Sequence, residues 1–306
     1  MWEVYALAIV SELKTRFALG GLNELELDVL YARAKTRLWD KIERLSKVEG
    51  LQVSDFGTRR RHSFLWQEYC VQAMRVSLNQ KGMENADGSE RFTGTSNTAL
   101  AYKHDLEAIG TNAHELPMAL AAMARTDEEL RASQYRVLEL WQRSYGGALL
   151  IMLPDTFGTT QFLEGAPEWV AEWTGQRVDS KDPKVAGDEY IAWLMKRGRD
   201  PRQKRLIASD ALDVDHIVRL HGYFRGRIRF SAGWGTLLTN DFRGCHPRGE
   251  DTLGPLSLVC KLTSVEGIPT VKLSDNPRKT AGPVEMVERY RRVFGTVAVG
   301  ATEVLV

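Results

Sequence analysis

The sequence predicts an irregular α/β barrel with a helical N-terminal stretch and a small C-terminal hairpin-plus-helix segment. Three observations carry this. From Leu51 onward, short apolar runs alternate with helix-patterned stretches almost to the end of the chain. Most of the runs are followed by a helix, the alternation that builds parallel sheets. Nearly every run ends in polar or glycine-rich residues: DFGTRRR, GTSN, GTNAH, PDTFGT, RVDSKD, SDALD and GWGT. In a barrel those ends share one rim, where barrel enzymes build their active sites, so a single site assembled from six or seven loops is expected.

Taken in order, the chain opens with helices from Trp2 to about Gly50. Val4, Leu7, Ala8 and Val10 recur at helical spacing, and LDVLYARAKTRLWDKIERLSKVEG repeats the pattern with Lys and Arg on its other face. Strands are expected near 51–55, 91–94, 107–111, 147–154, 175–179, 204–209 and 227–233. Helices are expected over RHSFLWQEYCVQAMRVSL, ALAYKHDL, TDEELRASQYRVLELWQRSYG, TTQFLEGAPEWVAEWTG, PKVAGDEYIAWLMKRG and VDHIVRLHGYFRG. Thr126 with Glu129 reads as a capping box, and Pro183 sits at a first turn. The stretch Thr239 to Gly254 reads as an exposed loop. LSLVCKLTSVEGIPTVKLSD reads as a hairpin turning at Glu266 and Gly267, and PVEMVERYRRVFG as a last helix. The expected organisation is a helical segment over 1–50, a barrel over 51–252 and a C-terminal segment over 253–306.

The chain has 306 residues, with 41 Lys and Arg against 40 Asp and Glu. That size suits one barrel or two smaller domains, and the near-zero net charge supplies no global field toward nucleic acid or anionic lipid. Anionic ligands must be held by local clusters. Cys70, Cys245 and Cys260 are too few and too scattered for a disulfide framework or a zinc site, which points to a reducing compartment. No apolar run approaches the roughly 18 residues of a membrane span. The opening residues lack a basic n-region, so cytoplasmic location is the expectation.

The residues able to carry chemistry lie in the polar loops. Three consecutive arginines, Arg59 to Arg61, cannot face one direction; at least one can clamp a phosphate or diphosphate while the others pair elsewhere. Gly233 to Thr236 offers backbone amides and a hydroxyl to a phosphate. SDALD and RVDSKD place carboxylates at strand ends, where they suit ribose hydroxyls or magnesium, although Asp182 and Asp213 equally suit helix caps. Ser96, Asn97, Thr111 and His114 lie on neighbouring loops. An imidazole titrates near neutrality and can act as base, acid or nucleophile, which makes His114 the leading candidate. The remaining histidines have no ligand spacing, and Trp66, Trp141, Trp169, Trp173 and Trp193 fit helix packing.

These loops resemble those of the nicotinate phosphoribosyltransferases. DFGTRRRHS, FTGTSN, IGTNAHE, RVDSKDP, SDALD, GWGTLLTNDF, LVCKL and VKLSDNPRKT follow that family's order and spacing, over about Trp2 to Phe294. The resemblance implies a type II phosphoribosyltransferase, with an irregular barrel and a smaller domain built from residues 1–50 and 253–306. It implies conversion of nicotinate and phosphoribosyl diphosphate to nicotinate mononucleotide and diphosphate, coupled to ATP hydrolysis with magnesium. Carried across by motif, His114 is the residue phosphorylated by ATP, and Arg59 contacts diphosphate or the phosphohistidine. Phe56 stacks on the pyridine ring, Ser96, Thr111 and Arg177 border nicotinate, and Asp179 holds the ribose. Ser209, Asp210, Gly233, Gly235 and Thr236 cradle the phosphoribosyl group, and Lys272 and Lys279 reach anionic groups. The magnesium ligands stay unassigned. Ser96 favours nicotinate over the amide, which a nicotinamide-using relative would take. Lys181 stands where the family usually has Gly, and Ala232 where Phe is common. The family also carries an N-terminal segment with a DTDxYK-type motif ahead of the point matching Met1. The resemblance therefore implies a homodimer, and a truncated chain whose alternative role is a barrel fragment that binds phosphoribosyl ligands.

Overall fold

The computed structural model describes residues 2–85 and 88–295; the last eleven residues of the expected C-terminal segment lie outside that range. Two helices lead, α1 (Trp2–Leu19) and α2 (Glu24–Ser46), the second opened by a capping box between Asn23 and Glu26. Then β1 (Val53–Asp55), α3 (Phe64–Leu78), β2 (Phe92–Thr95), α4 (Thr98–His104), β3 (Glu107–Ala108), α5 (Glu115–Ala122), α6 (Asp127–Tyr145) and β4 (Ile151–Met152) follow. The second half holds α7 (Thr159–Gly165), β5 (Gly175–Val178), α8 (Pro183–Lys196), β6 (Arg205–Ala208), α9 (Val214–Phe224), β7 (Arg229–Trp234) and α10 (Thr236–Thr239). A short hairpin of β8 (Ser264–Val265) and β9 (Ile268–Pro269) precedes α11 (Val284–Phe294).

The seven strands β1 to β7 form one parallel sheet in the order β3-β2-β1-β7-β6-β5-β4. The last barrel strand has therefore returned to pair with the first, as closure requires. The seam falls instead between β3 and β4, which are the two edges. Both edge strands are two residues long, a length that limits unwanted edge pairing. The barrel is curled but open, and the predicted irregularity has a definite place.

All seven expected strands are present, and the trimming has local causes. The run at 147–154 keeps only two strand residues because Gly146, Gly147 and Leu149 adopt positive φ and Pro154 starts a 3₁₀ turn. The helix expected over TTQFLEGAPEWVAEWTG is two pieces. Ala166 precedes Pro167 and is extended (ψ 130°), so α7 stops and a 3₁₀ turn over Glu168–Glu172 takes over. Thr126 caps α6, but Glu129 reaches the amide of Arg125 rather than that of Thr126. Asp182 and Asp213 are both helix caps, for α8 and α9. The hairpin turns at Glu266 (φ 51°) and Gly267 (φ 80°), the two positive φ values of a tight two-residue turn.

The main core runs from Leu30, Leu38 and Ile42 of α2 through Trp66, Cys70 and Met74 of α3 to Trp173, Tyr190, Phe224 and Trp234. A second cluster, with Phe157, Val271, Leu273, Tyr290 and Phe294, fastens α11 and the segment before it to α5 and α6. The loop after α10 is irregular as expected and exposed only in part: Arg243, Gly244 and the run 248–252 are exposed, whereas Asn240, Phe242, Cys245, His246 and Leu253 are buried anchors. Its sequence is polar around a few anchors, and Phe242 stacks on the His62 ring at 3.5 Å, which pulls the loop inward. No helix among the described residues is long and apolar enough to cross a membrane.

Candidate active site

The carboxyl ends of the strands converge, beginning with Asp55 at the end of β1. It is fully buried and accepts from the Gly57 amide (2.7 Å), Gln67 Nε2 (2.7 Å) and Thr95 Oγ1 (2.6 Å). Burial pushes its carboxyl above the usual carboxylate range, against those three donors. Asp55 thus ties the β1 loop to α3 and β2. In the same network Ser96 Oγ meets Thr58 Oγ1 at 2.7 Å, and Thr58 Oγ1 also accepts from Gln67 Nε2.

Phe56 follows directly and lies against β7. A Cβ at Gly233 would stand 2.7 Å from the Phe56 ring, and one at Gly235 would stand 3.4 Å from the Phe56 carbonyl. Glycine at 233 is therefore what lets this ring occupy the rim. Across the ring, the Arg177 guanidinium carbon sits 5.8 Å from its centroid. Ala232, one position earlier on β7, is buried and by strand alternation faces the other side.

Arg177, near the end of β5, is the hub. Its Nε donates to Ser209 Oγ (2.8 Å), Nη1 to Thr111 Oγ1 (3.0 Å) and Nη2 to Asp179 Oδ1 (2.5 Å). Burial alone would weaken its charge, but Asp179 reverses the sign and holds the proton more tightly than usual. His114, the N-cap of α5, presents Nε2 to Asp155 Oδ1 at 2.9 Å and lies 3.8 Å from Asp179 Oδ2. Ser180 Oγ donates to the other oxygen of Asp155 at 2.5 Å. Burial opposes charge on both aspartates. His114 and Lys272 overcome it at Asp155, and Arg177 foremost overcomes it at Asp179, leaving both carboxyls well below their ordinary range. The cluster alternates basic and acidic side chains that are largely withdrawn from solvent.

The C-terminal segment adds two further cations. Lys279 Nζ donates to the Asp179 carbonyl (2.9 Å) and to Asp210 Oδ2 (2.8 Å). Lys272 is buried, with its pKa lowered by burial against the pull of Asp155 and Asp179. Gly235 and Thr236 form the turn into α10, beside Phe56. Thus His114, Asp179, Arg177, Phe56, Thr111, Ser209, Gly233 and Gly235 belong to one continuous set of contacts. Arg59 reaches this set only indirectly. Its Nη1 is taken by Glu3 Oε1 at 2.7 Å, Glu3 also faces Lys261 Nζ at 3.4 Å, and Lys261 meets Glu115, the neighbour of His114, at 3.2 Å. Lys181 turns away from the anions to Glu189 Oε2 (2.5 Å) and Thr160 Oγ1 (2.9 Å).

Reasoning from sequence missed Asp155, although it lies in the polar loop after β4 that was expected to reach the rim. A carboxylate at a strand end was the available signal. Glu3 and Lys261 gave none, because their partners are far away in sequence. As a magnesium cage the acidic centre fits poorly. His114, Asp155 and Asp179 offer ligand atoms within 4.8 Å of one another, but one is nitrogen and both carboxylates already serve Arg177, His114 and Ser180. Magnesium prefers six oxygens, usually including waters and substrate phosphates.

The profile of the nicotinate phosphoribosyltransferase (NAPRTase) family matches residues 51–298. Among solved structures, the nicotinate phosphoribosyltransferase of Vibrio cholerae is 33% identical with a TM-score of 0.83, over 96% of this chain and 66% of that one. The enzyme of Porphyromonas gingivalis is 28% identical with a TM-score of 0.78, over 96% and 70%. A putative nicotinate phosphoribosyltransferase of Saccharomyces cerevisiae is 27% identical with a TM-score of 0.78, over 96% and 68%. The chain thus spans about two thirds of the length of these proteins, and its curled parallel sheet is the type II phosphoribosyltransferase fold. By its match over most of its length, the chain belongs to the nicotinate phosphoribosyltransferase family.

Proposed function

We propose that the chain carries the reaction centre of a nicotinate phosphoribosyltransferase, joining nicotinate to phosphoribosyl diphosphate with release of diphosphate. The observation that supports this best is Arg177, a guanidinium that faces an aromatic ring and is held by Thr111, Ser209 and Asp179. A pyridine carboxylate needs a flat apolar neighbour for its ring and a fixed cation for its charge, and Phe56 with Arg177 offers both. The uncharged amide of nicotinamide has no such need of the cation, so the arrangement favours the acid. Transfer proceeds through a cation-like ribosyl centre while diphosphate departs. Asp179 suits the ribose side, and Lys272, Lys279 and the turn at Gly235 and Thr236 suit the anionic groups.

ATP enters through His114. Its Nε2 is engaged by Asp155, which leaves Nδ1 to attack the γ-phosphoryl group; ADP leaves, and water later takes the phosphoryl group as inorganic phosphate. The Asp155 carboxylate steadies the imidazole through both steps. Magnesium would arrive with the phosphates of its substrates, and no step is assigned to it. The test is nicotinate mononucleotide synthesis with and without ATP. His114→Ala is expected to abolish the stimulation by ATP, and unchanged stimulation would remove the phosphohistidine from the mechanism.

A second reading has its own observation. On α1 a row of large apolar side chains points outward, with Trp2 79% and Phe17 83% exposed and Tyr5, Ile9 and Leu13 between them, while Leu7, Ala8, Ser11 and Thr15 face inward. Exposed apolar stripes of this kind mark contact surfaces. In this reading the chain binds phosphoribosyl ligands but turns over only when further polypeptide or a second subunit covers α1. Turnover by the isolated monomeric chain would eliminate it.

A further inference from the structure

The three arginines after β1 cannot act alike, and the structure sends each to a different fate. Arg59 pairs with Glu3 at 2.7 Å. Arg61 pairs with Glu12 at 2.7 Å, its Nη1 reaches Gln67 Oε1 at 3.2 Å, and its backbone carbonyl accepts from Ser11 Oγ at 2.8 Å. Glu3, Ser11 and Glu12 all belong to α1, so that helix acts as a splint along the arginine segment. Arg60 is different. Among the described residues it has no carboxylate within salt-bridge distance, and Nη2 donates only to the Leu258 carbonyl at 3.3 Å. Its Nε is buried without a partner. Burial foremost, and then Arg59, works against its charge, while Asp210, Glu3 and Asp179 favour it; of these acids Asp210 is also the partner of Lys279.

A guanidinium that is half-buried, unneutralised and short of one acceptor is costly in a protein and suited to an anionic ligand. Its fork matches phosphate oxygens, which an ammonium cannot match in pairs. We propose that Arg60 is the arginine of this triplet that grips the diphosphate group of the phosphoribosyl substrate, while α1 keeps Arg59 and Arg61 occupied through Glu3 and Glu12. This rests on the phosphoribosyltransferase reading and departs from the assignment of that contact to Arg59. It also gives α1 a function at the site: neutralising two charges so that the third is the one left for the ligand.

The test is calorimetric titration of the full chain with inorganic diphosphate, and separately with nicotinate mononucleotide, for wild type, Arg60→Gln, Arg60→Lys and Arg59→Gln. Thermal melts select the variants that remain folded. Loss of a charge-assisted pair predicts roughly tenfold or greater weakening of diphosphate binding in Arg60→Gln, and an intermediate loss in Arg60→Lys, which keeps charge without the fork. Arg59→Gln is expected to lose no more than about threefold, because its charge is already matched by Glu3. If Arg59→Gln loses as much as Arg60→Gln or more, the assignment is overturned while the functional reading stands. If wild type binds neither diphosphate nor the mononucleotide, both fall.

Discussion

Two charged regions meet at the rim, and they are built on opposite principles. The first, His114, Asp155, Arg177 and Asp179, grows from strand ends and the loops immediately after them. Its side chains are almost wholly buried, and every charge has a partner within the sheet's own loops. The second, Thr58 to Arg61, is a 3₁₀ turn over Thr58–Arg60 with Arg61 extended after it, held from outside by α1, by the loop at Leu258 and by Asn240. Sheet topology alone places the first. The second needs a helix some fifty residues earlier in the chain, so its geometry depends on contacts that can be released one at a time.

Breaking the first region is expected to have the largest effect. Asp155→Asn keeps the shape of the side chain but removes the charge facing His114, and leaves an amide where Ser180 now donates. ATP-stimulated synthesis of nicotinate mononucleotide is expected to drop by roughly a hundredfold or more, with synthesis at saturating substrate without ATP affected less. If the two rates fall together, Asp155 is a structural strut for the whole rim rather than the partner of the histidine.

This contrast also explains what could be read from sequence. The seven strands, their loops and the convergence of His114, Arg177, Thr111 and Ser209 were legible because a parallel sheet carries its strand ends to one edge whatever the details of packing. The open seam between β3 and β4 was not legible, since pairing of two-residue strands leaves almost no periodic signal. Nor was the fate of the arginines. The rule that three neighbours must diverge is local, but which one stays free is decided by Glu3 and Glu12, and charge pairs across some fifty residues leave no trace in spacing. The loop after α10 was legible only in part for a related reason: its polarity describes the residues that are exposed, while its anchoring depends on the few that are buried, Phe242 and His246 among them.

The second region should show itself in the acid limb of stability. His62 ends the arginine segment, donates its amide to the Thr239 carbonyl, stacks on Phe242 and is buried. Burial foremost, with Lys14 adding to it, pushes its pKa down to about 3 from an ordinary value of about 6.5. Between those values the unfolded chain binds the proton and the folded one does not. Stability therefore falls as pH drops through this window, by up to about 1.4 kcal/mol per pH unit for this one group. His62→Gln removes that proton. Chemical denaturation from pH 7 to 4 is expected to show a shallower decline in the variant, and parallel curves would mean that the ring protonates without leaving its stack.

The smallest effect is expected at Lys181, beside the first region. Lys181 brings an extra cation to the turn after β5, a place where added positive charge could tighten or trap anions. The structure supplies the counterweight: Glu189 takes the ammonium at 2.5 Å, Thr160 takes a second hydrogen bond, and the side chain is only 12% exposed. A charge matched at contact distance adds little field a few ångströms further on. Lys181→Gly is therefore expected to change the KM for phosphoribosyl diphosphate by less than about twofold and stability by about 1 kcal/mol, the scale of a partly shielded ion pair. Measured KM values that separate by fivefold or more would show that the Lys181 charge reaches the anion despite Glu189. The pairing that distinguishes Arg59 from Arg60 would then be too weak a criterion on this side of the rim as well.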